Sequence, residues 1–123
     1  MKKILIIDDE WGIRMLYSEE LLDEGYETVT CGADEEYMSV IQREEPDLVV
    51  LDVRLEENNG LELLQDIRNL YYDLPVILCT VYEDSKYDLR AIAADYCVIK
   101  ESDLGELKLK IKMALETEIN LKL

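Results

Sequence analysis

Short apolar runs recur along the chain at residues 4–7, 26–31, 48–51, 76–80 and 97–99, most of them rich in β-branched residues. Runs of this length and composition predict five buried strands. Between them apolar residues fall at helical spacing, first Ile13, Leu16 and Leu21, then Leu61, Leu64, Ile67 and Tyr71, in segments long enough to cross over a sheet. Alternating strands and helices of this kind predict an α/β domain with a parallel sheet covered by helices on both faces. The punctuation agrees. Gly25 ends the first helix, Pro46 and Pro75 precede the third and fourth strands, and Asp103-Leu-Gly-Glu106 has the pattern of a capping box opening the last helix. In that helix Leu104, Leu107, Ile111 and Leu115 form one apolar stripe, and residues 117–123 lie beyond its main body. Leu109 and Met113 fall on the opposite side of the helix, at exposed positions.

Composition narrows the function. A chain of 123 residues, 49% hydrophobic, suits a single domain. Its 29 acidic residues against 13 basic ones give a formal charge of -16. That balance argues against direct binding of nucleic acid or anionic membrane, and suits divalent cations or a basic protein partner. The start, MKKILIIDDE, has an apolar run far short of the roughly 7–15 residues of a secretory signal. A cytoplasmic location is therefore expected. Cys31, Cys79 and Cys97 lie far apart without a CxxC, and His is absent. Reduced cysteines packed at strand ends are expected rather than a zinc site or disulfides.

In a parallel sheet, functional groups gather at the carboxyl ends of the strands, so the residue ending each apolar run carries the chemistry. The first run ends in Asp8-Asp9-Glu10, the third in Asp52, the fourth in Thr80, and the fifth is followed by Lys100. If these strands are neighbours, carboxylates, a hydroxyl and an ammonium converge. Two carboxylates about 4 Å apart repel by roughly 4 kcal/mol at an effective dielectric of 20, more than one lysine can offset across several pairs. A hard divalent cation, Mg²⁺ in particular, is the economical remedy. A carboxylate beside Mg²⁺, a hydroxyl donor and an ammonium also describes a phosphoryl-accepting centre. Asp52 is its expected nucleophile, and Thr80 and Lys100 are its expected phosphoryl-oxygen contacts. Glu10 belongs to the rim of the site or the start of the first helix, where a carboxylate meets the positive end of the dipole.

The ordered set IIDDE, LVVLDVRL, Asn59-Gly60, Thr80 and AADYCVIK resembles the receiver domains of bacterial two-component response regulators, over essentially the whole chain. The resemblance implies a (βα)5 doubly wound, five-stranded parallel sheet of the flavodoxin-like, CheY-like kind. It implies that Asp52 takes a phosphoryl group from a phosphohistidine on a sensor kinase or phosphotransfer protein. Signalling then runs through altered binding of a downstream target, and the aspartyl phosphate is hydrolysed in the same site. Asp8, Asp9, Asp52 and the backbone carbonyl of Arg54 become the Mg²⁺ ligands. Tyr82 and Arg54, each two residues past a key position, fall where the family tunes dephosphorylation.

The chain departs from the family pattern in four places. Glu101 follows Lys100 where the family commonly has a cis-proline, and a cis bond before another residue costs roughly 2.5–4 kcal/mol. Cys97 occupies the position of the family's aromatic switch. The nearby aromatic, Tyr96, is one residue early and so points to the opposite face; Tyr82 or Tyr87 are alternatives. Glu56 and Glu57 stand in the loop after Asp52, where a turn pair is usual. The segment between Thr80 and Lys100 is short, which predicts a short or displaced fourth helix at about 84–93. Leu109 and Met113 would lie on the face that receivers use for homodimers or targets. Trp11 is expected to shade the metal site or to sit partly buried at a loop edge.

Three other readings compete with this one. A receiver that has lost phosphorylation and serves only as a binding module keeps the same fold, and ranks second because all the acceptor residues are present. A haloacid-dehalogenase-type phosphatase needs a second Asp after the nucleophile, where this chain has Val53-Arg54. A flavodoxin needs a hydroxyl-rich phosphate loop, of which Asp8-Asp9-Glu10 is the electrostatic opposite.

Overall fold

The computed structural model describes residues 1–32, 35–53, 60–80, 93–100 and 103–122. Its elements are β1 (Lys3–Ile7), α1 (Trp11–Asp23), β2 (Glu27–Cys31), α2 (Tyr37–Glu44), β3 (Leu48–Asp52), α3 (Gly60–Leu70), β4 (Val76–Thr80), β5 (Tyr96–Ile99) and α4 (Gly105–Lys122). The strands form one parallel sheet in the order β2-β1-β3-β4-β5. All five expected strands are present within a residue or two, and Asp52 is the last residue of β3. All but the last residue of the expected fourth helix at 84–93 lies outside the described residues, as do Arg54, Glu56, Glu57, Asn59, Tyr82, Tyr87 and Glu101.

Strand alternation sorts the core into two layers. Leu5, Ile7, Val49, Leu51 and Leu78 face α2 and α3, with Val40, Ile41, Leu64 and Ile67. Ile4, Ile6, Val50, Ile77, Cys79 and Val98 face α1 and α4, with Tyr17, Leu21, Leu107 and Ile111. A sheet covered on both faces explains why its central strands read as unbroken apolar runs rather than alternating ones.

The helices follow the expected stripes with four corrections. In α1 Leu16 is exposed, and the buried residues are Tyr17 and Leu21, with Ile13 packed beside them. Positions 13, 17 and 21 advance by about 40° per step at 100° per residue, a straighter line than one through 16. In α4 the stripe Leu104, Leu107, Ile111 and Leu115 is buried as expected and Leu109 is 55% exposed, but Met113 is half-buried. The helix also continues to Lys122, through residues expected to lie beyond it. Its entry is an Asp turn rather than a reciprocal box: Asp103 Oδ1 accepts from the Gly105 N–H at 2.9 Å, and the Leu104 carbonyl takes the first helical bond, from the Lys108 N–H.

At the far end of α1, Gly25 adopts φ 95°. The Tyr26 N–H reaches the Leu21 carbonyl and the Gly25 N–H that of Leu22, a Schellman closure that needs the left-handed residue at this position.

Candidate functional site

The chain leaves β1 toward β2 on one side and β3 lies on the other, so the crevice at their carboxyl ends is a topological switch point. Ile7 is registered with Leu51, Asp52 with Cys79, and Thr80 with Ile99. Four groups far apart in sequence, Asp8, Asp52, Thr80 and Lys100, thereby arrive along one edge of the sheet. Asp8 and Asp52 are only 2% and 8% exposed, and Thr80 is 1% exposed.

Lys100 ties them together. Its Nζ lies 2.6 Å from Asp8 Oδ2 and 3.3 Å from Asp52 Oδ2, while its backbone N–H donates to the Thr80 carbonyl at 2.7 Å. Burial works against the ammonium, but the hydrogen bond it donates to Asp8 and the charges of Asp52 and Asp8 outweigh it and raise the Lys100 pKa above its ordinary value. The lysine therefore stays charged at neutral pH. The other oxygen of Asp8, Oδ1, accepts the Glu10 N–H at 2.9 Å. Glu10 is the residue that caps α1, though its exposed side chain makes no capping bond. So the first carboxylate of the acidic run serves the helix entry with one oxygen and Lys100 with the other.

Asp9 faces elsewhere. Its Oδ1 accepts from the hydroxyl of Tyr37, the first residue of α2, at 3.3 Å. Arg14 Nη1 donates to the Asp8 carbonyl at 2.6 Å, and its guanidinium lies over Gly32, where a Cβ would meet it at 2.8 Å. Tyr17 sits below, in the α1–α4 layer. Burial, then the nearby charges of Cys79, Asp8 and Asp52, push its phenol pKa far up. Burial likewise pushes the Cys79 thiol up, against the opposing pull of Lys100.

The expected site residues separate into three groups. Asp8, Asp52 and Lys100 meet directly, Thr80 adjoins them through the backbone, and Asp9 stands at the rim on the α2 side. Cys97 packs with the α2–α3 layer and Tyr96 with the opposite one, as expected for adjacent strand residues. Lys110 from α4 lies over the Tyr96 ring at 5.0 Å, which fixes that aromatic outside the Thr80 side of the sheet. Trp11 is 69% exposed and so is not the partly buried aromatic expected. Cys31 and Cys79 are buried, Cys97 is partly so, and none of the three is in a disulfide. Tyr37, Arg14 and Tyr17 had no sequence signal as site residues.

Among the described residues, no three carboxylate or cysteine side chains form a metal cage by themselves. Mg²⁺ does not require one, since it takes one or two carboxylates and keeps water in its other positions. The donor set of all-oxygen side chains, with two buried carboxylates sharing one ammonium and a third at the rim, fits such an ion.

A model of the response regulator receiver domain matches residues 4–112. The chain belongs to that family. The receiver is 31% identical over 121 residues to sporulation initiation phosphotransferase F of Bacillus subtilis, covering 97% of this chain and 98% of that one. It spans half or less of the length of several other curated relatives. Among solved structures it is similar to the response regulator TrrA of Thermotoga maritima in complex with Mg²⁺ and BeF, at 42% identity and a TM-score of 0.89, covering 94% of this receiver and all of that chain. TrrA in complex with the histidine kinase ThkA matches at 41% identity and a TM-score of 0.87, over 94% of this receiver and 99% of that chain. The receiver is thus a signalling domain of two-component systems with the CheY-like fold. Among its described residues, no helix is long and apolar enough to cross a membrane.

Proposed function

We propose that this receiver is a Mg²⁺-dependent phosphoacceptor whose nucleophile is Asp52, charged by a phosphohistidine on a sensor kinase or phosphotransfer protein. The observation that carries the reading is the Lys100 ammonium held between the buried carboxylates of Asp8 and Asp52 at the switch point of the sheet. An Asp52 oxygen attacks phosphorus in line, the P–N bond breaks, and the imidazole leaves with the electron pair. Lys100 is placed to pair with a phosphoryl oxygen, and Thr80 stands at the neighbouring strand end to hydrogen-bond another. Asp8, Asp9 and Asp52, with the Arg54 carbonyl that the family resemblance implies, would hold a Mg²⁺, which would supply charge neutralisation for the transferring group. Hydrolysis of the acyl phosphate by water then resets the site.

The Mg²⁺–BeF complex of TrrA and its kinase complex support this reading by likeness. Output runs through altered protein binding, in the cytoplasm, with Cys97 in place of an aromatic switch and Leu109 and Met113 as candidate contacts for a target or a second copy. Glu10 and Tyr82 are the candidate tuning positions at the rim.

Incubation with Mg²⁺ and acetyl phosphate should add one phosphoryl group by intact mass, and Asp52→Asn should abolish the addition. Wild-type protein that takes up no phosphoryl group, together with intact target binding, would assign the chain instead to a receiver that acts only as a binding module.

A further inference from the structure

We propose that Tyr37 is a positioning residue for Asp9 and thereby sets the affinity of the site for Mg²⁺; this rests on the reading of Asp9 as a cation ligand. The contact joins residues 28 apart in sequence, between the loop after β1 and the first turn of α2. The Tyr37 ring is 5% exposed and packs in the α2–α3 layer with Cys31, Val40 and Ile41. Its hydroxyl is consequently carried on an anchored side chain rather than a mobile one.

The chemistry of the donor matters. Asp8 and Asp52 share a full positive charge from Lys100, which competes with any cation for their oxygens. Asp9 receives a neutral phenol on Oδ1, which restricts the carboxylate's rotation without cancelling its charge. At 3.3 Å the bond is longer than the ~2.7–2.8 Å usual between oxygens, so it orients the group without strongly occupying its lone pair. A half-buried carboxylate held in this way presents its oxygens in a fixed direction to a divalent ion. Loss of an outer partner of a metal ligand costs about 10-fold to 100-fold in affinity, and this weak bond belongs at the lower end.

Tyr37→Phe removes the hydroxyl and keeps the ring in its layer. Mg²⁺ binding is read by Trp11 fluorescence and by calorimetry on wild type, Tyr37→Phe, Asp9→Asn and the double variant, with thermal unfolding to verify the fold. The expected result is Mg²⁺ binding about 10-fold weaker in Tyr37→Phe, with no further effect of that change in the Asp9→Asn background. Labelling of Asp52 by acetyl phosphate should then need correspondingly more Mg²⁺ for half its maximal rate, yet reach the wild-type rate at saturation. A Tyr37→Phe protein with the wild-type Mg²⁺ constant overturns the inference and leaves the phosphoacceptor reading standing. A rate defect that persists at saturating Mg²⁺ overturns it as well, because it assigns Tyr37 to the packing of α2. Wild-type protein that binds no Mg²⁺ takes down both.

Discussion

At the scale of single residues, the site is a balance of charge in which, among the described residues, the Lys100 ammonium serves two buried carboxylates. Removing one partner of a buried pair costs about 3–5 kcal/mol, because the other charge is left desolvated. Lys100→Met should therefore lower unfolding free energy by about 3 kcal/mol in urea titrations at pH 7 without divalent ions. Adding Asp52→Asn to that variant should recover part of the loss. A second expectation concerns alkali. Lys100, Tyr17 and Cys79 all have folded pKa values raised above their ordinary 10.5, 10.0 and 9.0. Above those values the unfolded chain has released protons that the folded state still holds, so stability falls as pH rises. The decline should begin near pH 9 with Cys79 and steepen above pH 10, by about 1.4 kcal/mol per pH unit for each group. Chemical denaturation between pH 8 and 11 would measure it, and Cys79→Ala should delay its onset. The residues in this balance differ in how visible they were beforehand. Asp8, Asp52, Thr80 and Lys100 were legible because each ends or follows an apolar run, and strand ends in a parallel sheet converge. Tyr37 was hidden because its spacing to Val40 and Ile41 is that of an ordinary core residue, and its link to Asp9 exists only in the folded chain. Tyr17 is harder to read than Leu16 because its polar tip makes it a less obvious member of an apolar stripe.

At the scale of elements, the acceptor is held by backbone as much as by side chains. The Gly60 N–H opens α3 by donating to the Val53 carbonyl at 2.8 Å, and a Cβ on Gly60 would lie 2.1 Å from the Asp52 carbonyl oxygen and 2.8 Å from Val53 Cα. Because these obstacles are backbone atoms, neither can swing aside. Gly60→Ala should push α3 away from the end of β3, costing about 1–3 kcal/mol by thermal unfolding and slowing Asp52 labelling more than it lowers stability. At the opposite end of the sheet, Arg68 of α3 fastens two loops. Its Nε donates to the Ala93 carbonyl at 2.6 Å, Nη1 to that of Leu74 at 2.5 Å, and Nη2 to Asp95 Oδ2 at 2.9 Å; the same carboxylate oxygen accepts the Val76 N–H. Arg68→Leu leaves several of these acceptors unpaired and should cost about 3 kcal/mol in urea without altering phosphoryl uptake at saturating Mg²⁺. Strand positions were readable from apolar runs because both faces of the sheet are covered. The end of α4 was less so, since helix termini depend on local bonds that apolar spacing does not encode.

At the scale of the whole molecule, a charge of -16 on 123 residues makes self-repulsion a general load on the fold. Any salt should relieve it, as the screening length shortens to about 10 Å at 0.1 M. A cation bound between carboxylates at the switch point acts differently, because it binds the folded state alone and stabilises by mass action. The two effects separate when MgCl₂ and NaCl are compared at equal ionic strength. NaCl should raise the unfolding temperature gradually, whereas Mg²⁺ at ten times its dissociation constant should add about 1.4 kcal/mol beyond that, or about 5 °C for a domain of this size. Asp9→Asn should remove the Mg²⁺ increment and keep the NaCl response, since it deletes a candidate ligand while changing the net charge by only one. Equal responses to the two salts in the wild type would mean that Mg²⁺ acts here as a diffuse counterion, and the acidic run at the end of β1 would then need no cation beyond Lys100.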